Sequence, residues 1–182
     1  MVLDRGFSLI EVLVALLVLA VGVLGILVLQ LSTLRATREV TLQSAALRIA
    51  TDMAEQLRGS SDSPEMLQAF SRFDYATNSA ATVTGVPCFG TDNICTRSQM
   101  AAFVMRLWQQ RIQQALPSGR VRICRDASPW HAATNTLRWD CDSGIDTMTP
   151  LWIKVGWRDS QSKAAPTPTV PQLVLPVAAF SH

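Results

Sequence analysis

The apolar run from Val12 to Leu29 constrains this chain more than any other feature, and one carboxylate, Glu11, stands at its edge. Phe7, Leu9 and Ile10 extend the run toward the N-terminus, so Glu11 sits inside an otherwise apolar stretch. As an α-helix, residues 7–29 measure about 34 Å at ~1.5 Å per residue, enough to cross a hydrocarbon core of about 30 Å. A secretory signal peptide has a shorter apolar core, then a small-residue cleavage site and unrelated sequence. Here the helical period continues instead. Leu31, Leu34, Leu42, Ala46, Ile49, Met53 and Leu57 recur mostly at three- and four-residue steps, with Arg35, Arg38, Arg48, Asp52 and Glu55 between them. That pattern is an amphipathic helix continuing the apolar one. Gly59 and the run Ser60-Ser61-Asp62-Ser63-Pro64 end it.

Two readings of Glu11 compete. Ser8-Leu9-Ile10-Glu11 has the S-x-x-E form of a capping box, in which both side chains satisfy free N–H groups of the first turn. A Glu there also suits the positive end of the helix dipole. Yet a carboxylate within a membrane-length segment is a functional candidate whose partner has to be named. Gly22 and Gly25 weaken the same helix by about 1 kcal/mol each relative to Ala. They serve either close helix approach or local softness.

Much of the 48% hydrophobic content of this 182-residue chain lies in its first thirty residues. The remaining part is polar and long enough to bury a core of its own. Net charge is +2, with the basic residues scattered, so charge implies no nucleic-acid partner. Cys88, Cys95, Cys124 and Cys141 all follow the apolar segment. An even number in that position reads as disulfides formed in an oxidising compartment. Of the three connectivities, sequence neighbours favour Cys88–Cys95 and Cys124–Cys141, the second joining two predicted strands. The spacings C-x6-C and C-x16-C, with only His131 and His182 as imidazoles, do not suit a zinc site.

Beyond residue 59 the pattern predicts a second, amphipathic helix over Ser98–Leu116, with Trp108 on its apolar face, stopped by Pro117-Ser118-Gly119. The period then becomes two. Val121 and Ile123 alternate with Arg120, Arg122 and Cys124, and Leu137 and Trp139 with Arg138 and Asp140. Leu151, Ile153, Val155 and Trp157 alternate with Trp152, Lys154 and Gly156. Leu173–Val177, containing Pro176, reads as an edge strand. The expectation is an α+β arrangement, an antiparallel meander against the C-terminal half of the long helix. Residues 60–97 are polar and poorly patterned, and read as a loop region tied by Cys88–Cys95.

No set of nucleophile, base and oxyanion donors can be assembled from this sequence, so no enzyme and no cofactor are expected. Asp140, Asp142 and Asp146 in DCDSGID lack the calcium loop that would make them ligands, and read as a polar turn.

The stretch RGFSLIEVLVALLVLAVGVLG resembles the class III signal of type IV pilins and type II secretion pseudopilins. The resemblance implies cleavage after Gly6 by a prepilin peptidase, N-methylation of Phe7, and pairing of Glu11, fifth from Phe7, with the terminal amine of an adjacent subunit. LWQQRIQQALPSGRVRICRDASP, WDC and PLWIKVGWRD are similar to PilV-type minor pilins, the nearest rival being the I-type minor pseudopilin of type II secretion. What this implies is a type IV pilin-like fold: a leader at 1–6, a transmembrane helix at 7–29, its amphipathic continuation at 30–58, and a globular head at 59–182. The implied partners are other minor pilins, the major pilin, the inner-membrane assembly platform and inner-membrane lipid. The implied role is initiation of pilus assembly or a place at the filament tip, with twitching motility and adhesion as outcomes. The alternative of another class is a pilus-mounted binding module whose head recognises a surface, DNA or a tip adhesin. Arg5 against Arg35 and Arg38 would place the C-terminal part in the cytoplasm by the positive-inside rule. The cysteines and the resemblance both place it in the periplasm, and they govern the reading.

Overall fold

The structure is a computed structural model, and it describes residues 8–79, 88, 94–142, 149–158 and 167–177. The chain divides into two units, Met1–Thr41 and Leu42–His182. Helix α1, Leu9–Gly59, supplies the described part of the first unit and opens the second.

In the first unit every residue from Ser8 to Thr41 is exposed, including all the apolar ones. Beyond the apolar run the helix carries threonines at four-residue spacing. Thr33 Oγ donates to the Leu29 carbonyl at 3.0 Å, Thr37 to Thr33 at 2.9 Å and Thr41 to Thr37 at 2.8 Å. These hydroxyls are satisfied within the helix, which lets polar residues follow an apolar run without needing water.

In the second unit burial begins along one stripe of α1. Ala46, Ile49, Ala50, Met53, Ala54 and Leu57 are buried, at the i, i+3, i+4 spacing that puts them on one face. Three of the six are alanine, so neighbouring elements can approach closely. Helix α2, Pro64–Phe70, and strand β1, Asp74–Ala76, follow. Residues 60–97 are therefore not simply a loop region. A seven-residue helix and a three-residue strand are too short to show a period, and only Pro64 at the first helical turn marks the site. Phe70 and Phe73 of this stretch close on Trp108, with ring centroids 4.8 and 5.5 Å away.

Helix α3, Arg97–Ala115, begins at a capping box formed by Thr96 and Gln99. Its buried residues include Ala101, Phe103, Trp108 and Ile112. The Trp108 indole donates to Gln56 Oε1 at 2.6 Å, and Arg111 pairs with Asp52 at 2.7 Å, so two polar contacts tie α3 to α1. The turn after α3 is tight: a Cβ on Gly119 would lie 2.8 Å from Leu116 Cβ.

Strands β2 (Arg120–Arg125), β3 (Trp130–His131), β4 (Thr136–Leu137), β5 (Leu151–Gly156) and β6 (Leu173–Val177) complete the unit. The main sheet has the antiparallel order β1-β2-β5-β6, and β3 and β4 form a separate hairpin. The sheet is not a simple meander, because β1 precedes α3 and the hairpin is left out of it. Only Thr136–Leu137 of the second expected strand is paired, and Trp139 lies beyond it. β6, with Pro176, is an edge strand. One face of the sheet presents Val121, Ile123, Ile153 and Val155 to the core that α1 and α3 share. The result is the expected α+β architecture, a long N-terminal helix whose Ala46–Leu57 stripe packs in one core with a small antiparallel sheet and additional helices.

Candidate functional site

Glu11 lies in the first turn of α1. The Ser8 carbonyl accepts from the backbone N–H of Glu11 at 3.0 Å and of Val12 at 3.3 Å, which starts the helix. Among the described residues neither the Ser8 hydroxyl nor the Glu11 carboxylate makes a side-chain hydrogen bond or an ion pair. The capping box written in the sequence is not what the structure describes, and the carboxylate is left available. Val12, Ala15, Leu16 and Leu19 flank it on an exposed apolar surface. Among the described residues α1 is the one helix long and apolar enough to cross a membrane. Gly6 and Phe7, the residues expected at the processing point, lie outside the described residues.

The cysteines are joined as Cys88–Cys95 and Cys124–Cys141. Cys141 lies in no strand, so the second bond ties β2 to the chain that follows the hairpin. The bond borders a charged network that the sequence pattern did not disclose. Trp152 and Lys154 stand opposite Cys124 and Arg122 across β2 and β5, on the sheet face turned away from the helices. Residues 126–142 cover that face, so Lys154 and Asp126 both have fully buried side chains. Lys154 Nζ donates to Asp126 Oδ2 at 2.5 Å and to the Asp140 carbonyl at 2.6 Å. Asp126 Oδ1 accepts from Arg138 Nη2 at 2.8 Å and from the Ser128 N–H at 3.1 Å. Arg138 also reaches Asp142 at 2.9 Å, and Asp142 accepts from the Ala127 N–H at 2.8 Å. The Ala127 N–H and then the Arg138 guanidinium hold the Asp142 carboxyl below its ordinary range, and the hydrogen bond to Asp142 raises Arg138. The visible signal for this network was a lysine in the middle of the apolar strand LWIKVGW. Asp146 lies outside the described residues, and Asp140 enters the network through its backbone.

Fold and helix together define a class: a type IV pilin-like α+β protein whose N-terminal helix is exposed and apolar. Residues 1–27 match the model of the prokaryotic N-terminal methylation motif, and residues 28–105 match that of type IV pilin Tt1218. The two matches support placement in the type IV pilin superfamily, in a pilin or pseudopilin role. They describe structural pilin domains rather than enzymes. The motif implies processing by a prepilin peptidase and assembly with other pilins, and with the apolar helix it points to anchoring in a membrane. No curated protein and no solved structure matches the chain.

Proposed function

We propose that this chain is a minor pilin of a type IV pilus. Residues 1–6 are its leader, a prepilin peptidase cuts between Gly6 and Phe7, and the new N-terminus is methylated. Residues 7–29 hold the precursor in the inner membrane, residues 30–58 continue the helix, and residues 59–182 form a periplasmic head stabilised by both disulfides. With other minor pilins and the major pilin it starts filament growth on the inner-membrane platform and stays at the tip, supporting twitching motility and adhesion.

One observation carries this reading: the Glu11 carboxylate has no partner among the described residues, on an apolar helix that the methylation motif introduces. When such a helix leaves lipid for the core of a filament, an isolated charge there is costly and a paired one is tolerated. The terminal amine of a neighbouring subunit supplies the opposite charge. Glu11→Ala should leave membrane insertion and head stability unchanged, and reduce the amount of protein in filaments at least tenfold. Entry at the normal level would end this role for Glu11.

The direct test is the mass of the N-terminal peptide in filaments sheared from native cells. A peptide starting at methylated Phe7 is the expected result. A processed peptide confined to membranes would favour a type II secretion pseudopilin. A peptide still starting at Met1, in cells with active prepilin peptidase, would overturn the proposal.

A further inference from the structure

The β3–β4 hairpin adds nothing to the core, yet the structure holds it firmly. Trp130 to Asn135 are exposed, Thr136 and Leu137 are half-buried, and no residue from 127 to 137 belongs to the core cluster. Strands of two residues do not hold a hairpin together in water. The support comes from below. The Arg138 N–H donates to the Pro129 carbonyl at 2.9 Å, and Arg138 Nε donates to the Ser128 carbonyl at 2.9 Å. The same guanidinium grips Asp126 and Asp142, and the Cys124–Cys141 bond closes the segment. A buried ion pair is seldom more stabilising than apolar packing of the same volume. What it adds here is direction, since each hydrogen bond fixes the base of the hairpin at one angle.

The hairpin displays an unusual set of groups. Trp130 is 46% exposed and stands directly opposite Leu137, so the two share one face. The other face carries a polar chain: His131 Nδ1 lies 2.9 Å from Thr134 Oγ1, which lies 2.8 Å from Thr136 Oγ1. Asn135 sits at the turn with φ 54°. Between Asp126 and Arg138 there is no Asp, Glu, Lys or Arg. We propose that this hairpin is a binding finger for a neutral saccharide, with Trp130 as the platform on which a sugar ring stacks.

The chemistry selects that class. The indole face takes up C–H surface, while the imidazole, hydroxyls and amide take up hydroxyl groups. Nothing on the hairpin balances a phosphate or carboxylate, which disfavours nucleic acid and anionic lipid. A protein interface core around a Trp is ordinarily ringed by groups that exclude water. Ala132, Ala133, Thr134 and Asn135 are exposed and small or polar, so beyond Trp130 and Leu137 the hairpin has no large apolar side chain to build such a ring. The proposal goes beyond the minor-pilin reading and does not depend on a filament.

The test uses the purified full-length chain in micelles of a detergent without a sugar headgroup, titrated with chitohexaose, cellohexaose and laminarihexaose by calorimetry. At least one should bind, with Trp130→Ala weakening it about tenfold or more and Trp130→Phe retaining affinity within about threefold. His131→Ala should give a smaller loss. The melting temperature of each variant should match the parent, because these side chains are exposed. Failure of all three saccharides to bind, or equal binding by the Trp130→Ala variant, would overturn the proposal. So would a Trp130→Ala effect confined to association with another pilin, which would make the hairpin a protein contact.

Discussion

The two units of this chain treat a carboxylate in an apolar setting in opposite ways. In the unit Leu42–His182, Asp126 is buried and both its oxygens are occupied, by Lys154 on one side and by Arg138 and the Ser128 N–H on the other. In the unit Met1–Thr41, Glu11 stands among apolar side chains with no partner among the described residues. The first is a closed structural account, since Asp126, Lys154, Arg138 and Asp142 answer one another within the head. The second is open among the described residues, and under the proposed function the answer comes from a neighbouring subunit. A satisfied charge helps fix a fold, whereas an unpaired one on an exposed apolar helix is a candidate for contact with a partner.

The largest expected effect breaks the closed account. Asp126→Ala leaves Lys154 buried without its counter-charge and should cost the head about 3–5 kcal/mol in chemical denaturation. If that variant melts like the parent, water reaches Lys154 and the network is not the clamp described above. Opening the Cys124–Cys141 bond with a double serine substitution releases a sequence separation of 17 residues. The expected loss is about 3 kcal/mol, from the greater freedom of the unfolded chain. Because the bond and the network hold the same segment, the two losses should not add. Simple additivity in the combined variant would show that they act separately.

A pair of glycine substitutions sharpens the contrast between the units. Gly119→Ala puts a Cβ 2.8 Å from Leu116 Cβ and should destabilise the head by about 1–3 kcal/mol. Gly22→Ala meets nothing within 4 Å and should leave the melting of the head unchanged. If Gly22→Ala nevertheless lowers the amount of protein in filaments, a neighbouring helix approaches there. That would settle the two readings of this glycine in favour of close packing.

How much of this was legible follows from the length of each element. The long helix announces itself through an apolar run and then a 3.6-residue stripe, and α3 through Met100 to Leu116. β2 and β5 are long enough to alternate, and β6 shows as a short apolar run with Pro176. α2 and β1 were hidden, since seven and three residues carry no period and their neighbours are rich in Ser, Thr and Asn. The second face of the sheet was hidden for a different reason. Alternation along β5 separates Lys154 from Ile153 and Val155, but which side meets water depends on what covers the sheet. The cover, residues 126–142, is polar and irregular, held by hydrogen bonds rather than by an apolar stripe. A pattern built on hydrophobicity cannot register such a layer. Glu11 was legible as an anomaly from the start, because a lone carboxylate in an apolar run needs no tertiary information to stand out.

The smallest expected effect concerns the rim of the buried network, where Asp142 meets solvent. Its carboxyl is held below its ordinary range of about 3.8 by the Ala127 N–H and by Arg138. A carboxyl whose folded value is depressed binds its proton more readily in the unfolded chain. Its contribution to stability is therefore complete above the ordinary unfolded value and is lost as pH falls through the depressed folded one. Arg138 is shifted the opposite way, upward from the ordinary guanidinium range, so its own titration lies far outside the acid range and does not enter. The head should thus keep a constant contribution from this pair near neutrality and begin to lose it below about pH 4. Asp142→Asn should flatten that part of the acid-melting curve without altering the curve above it. An acid limb that is identical in parent and variant would mean that Asp142 is bound no more tightly than an ordinary surface carboxylate, and that the charged network ends at Asp126.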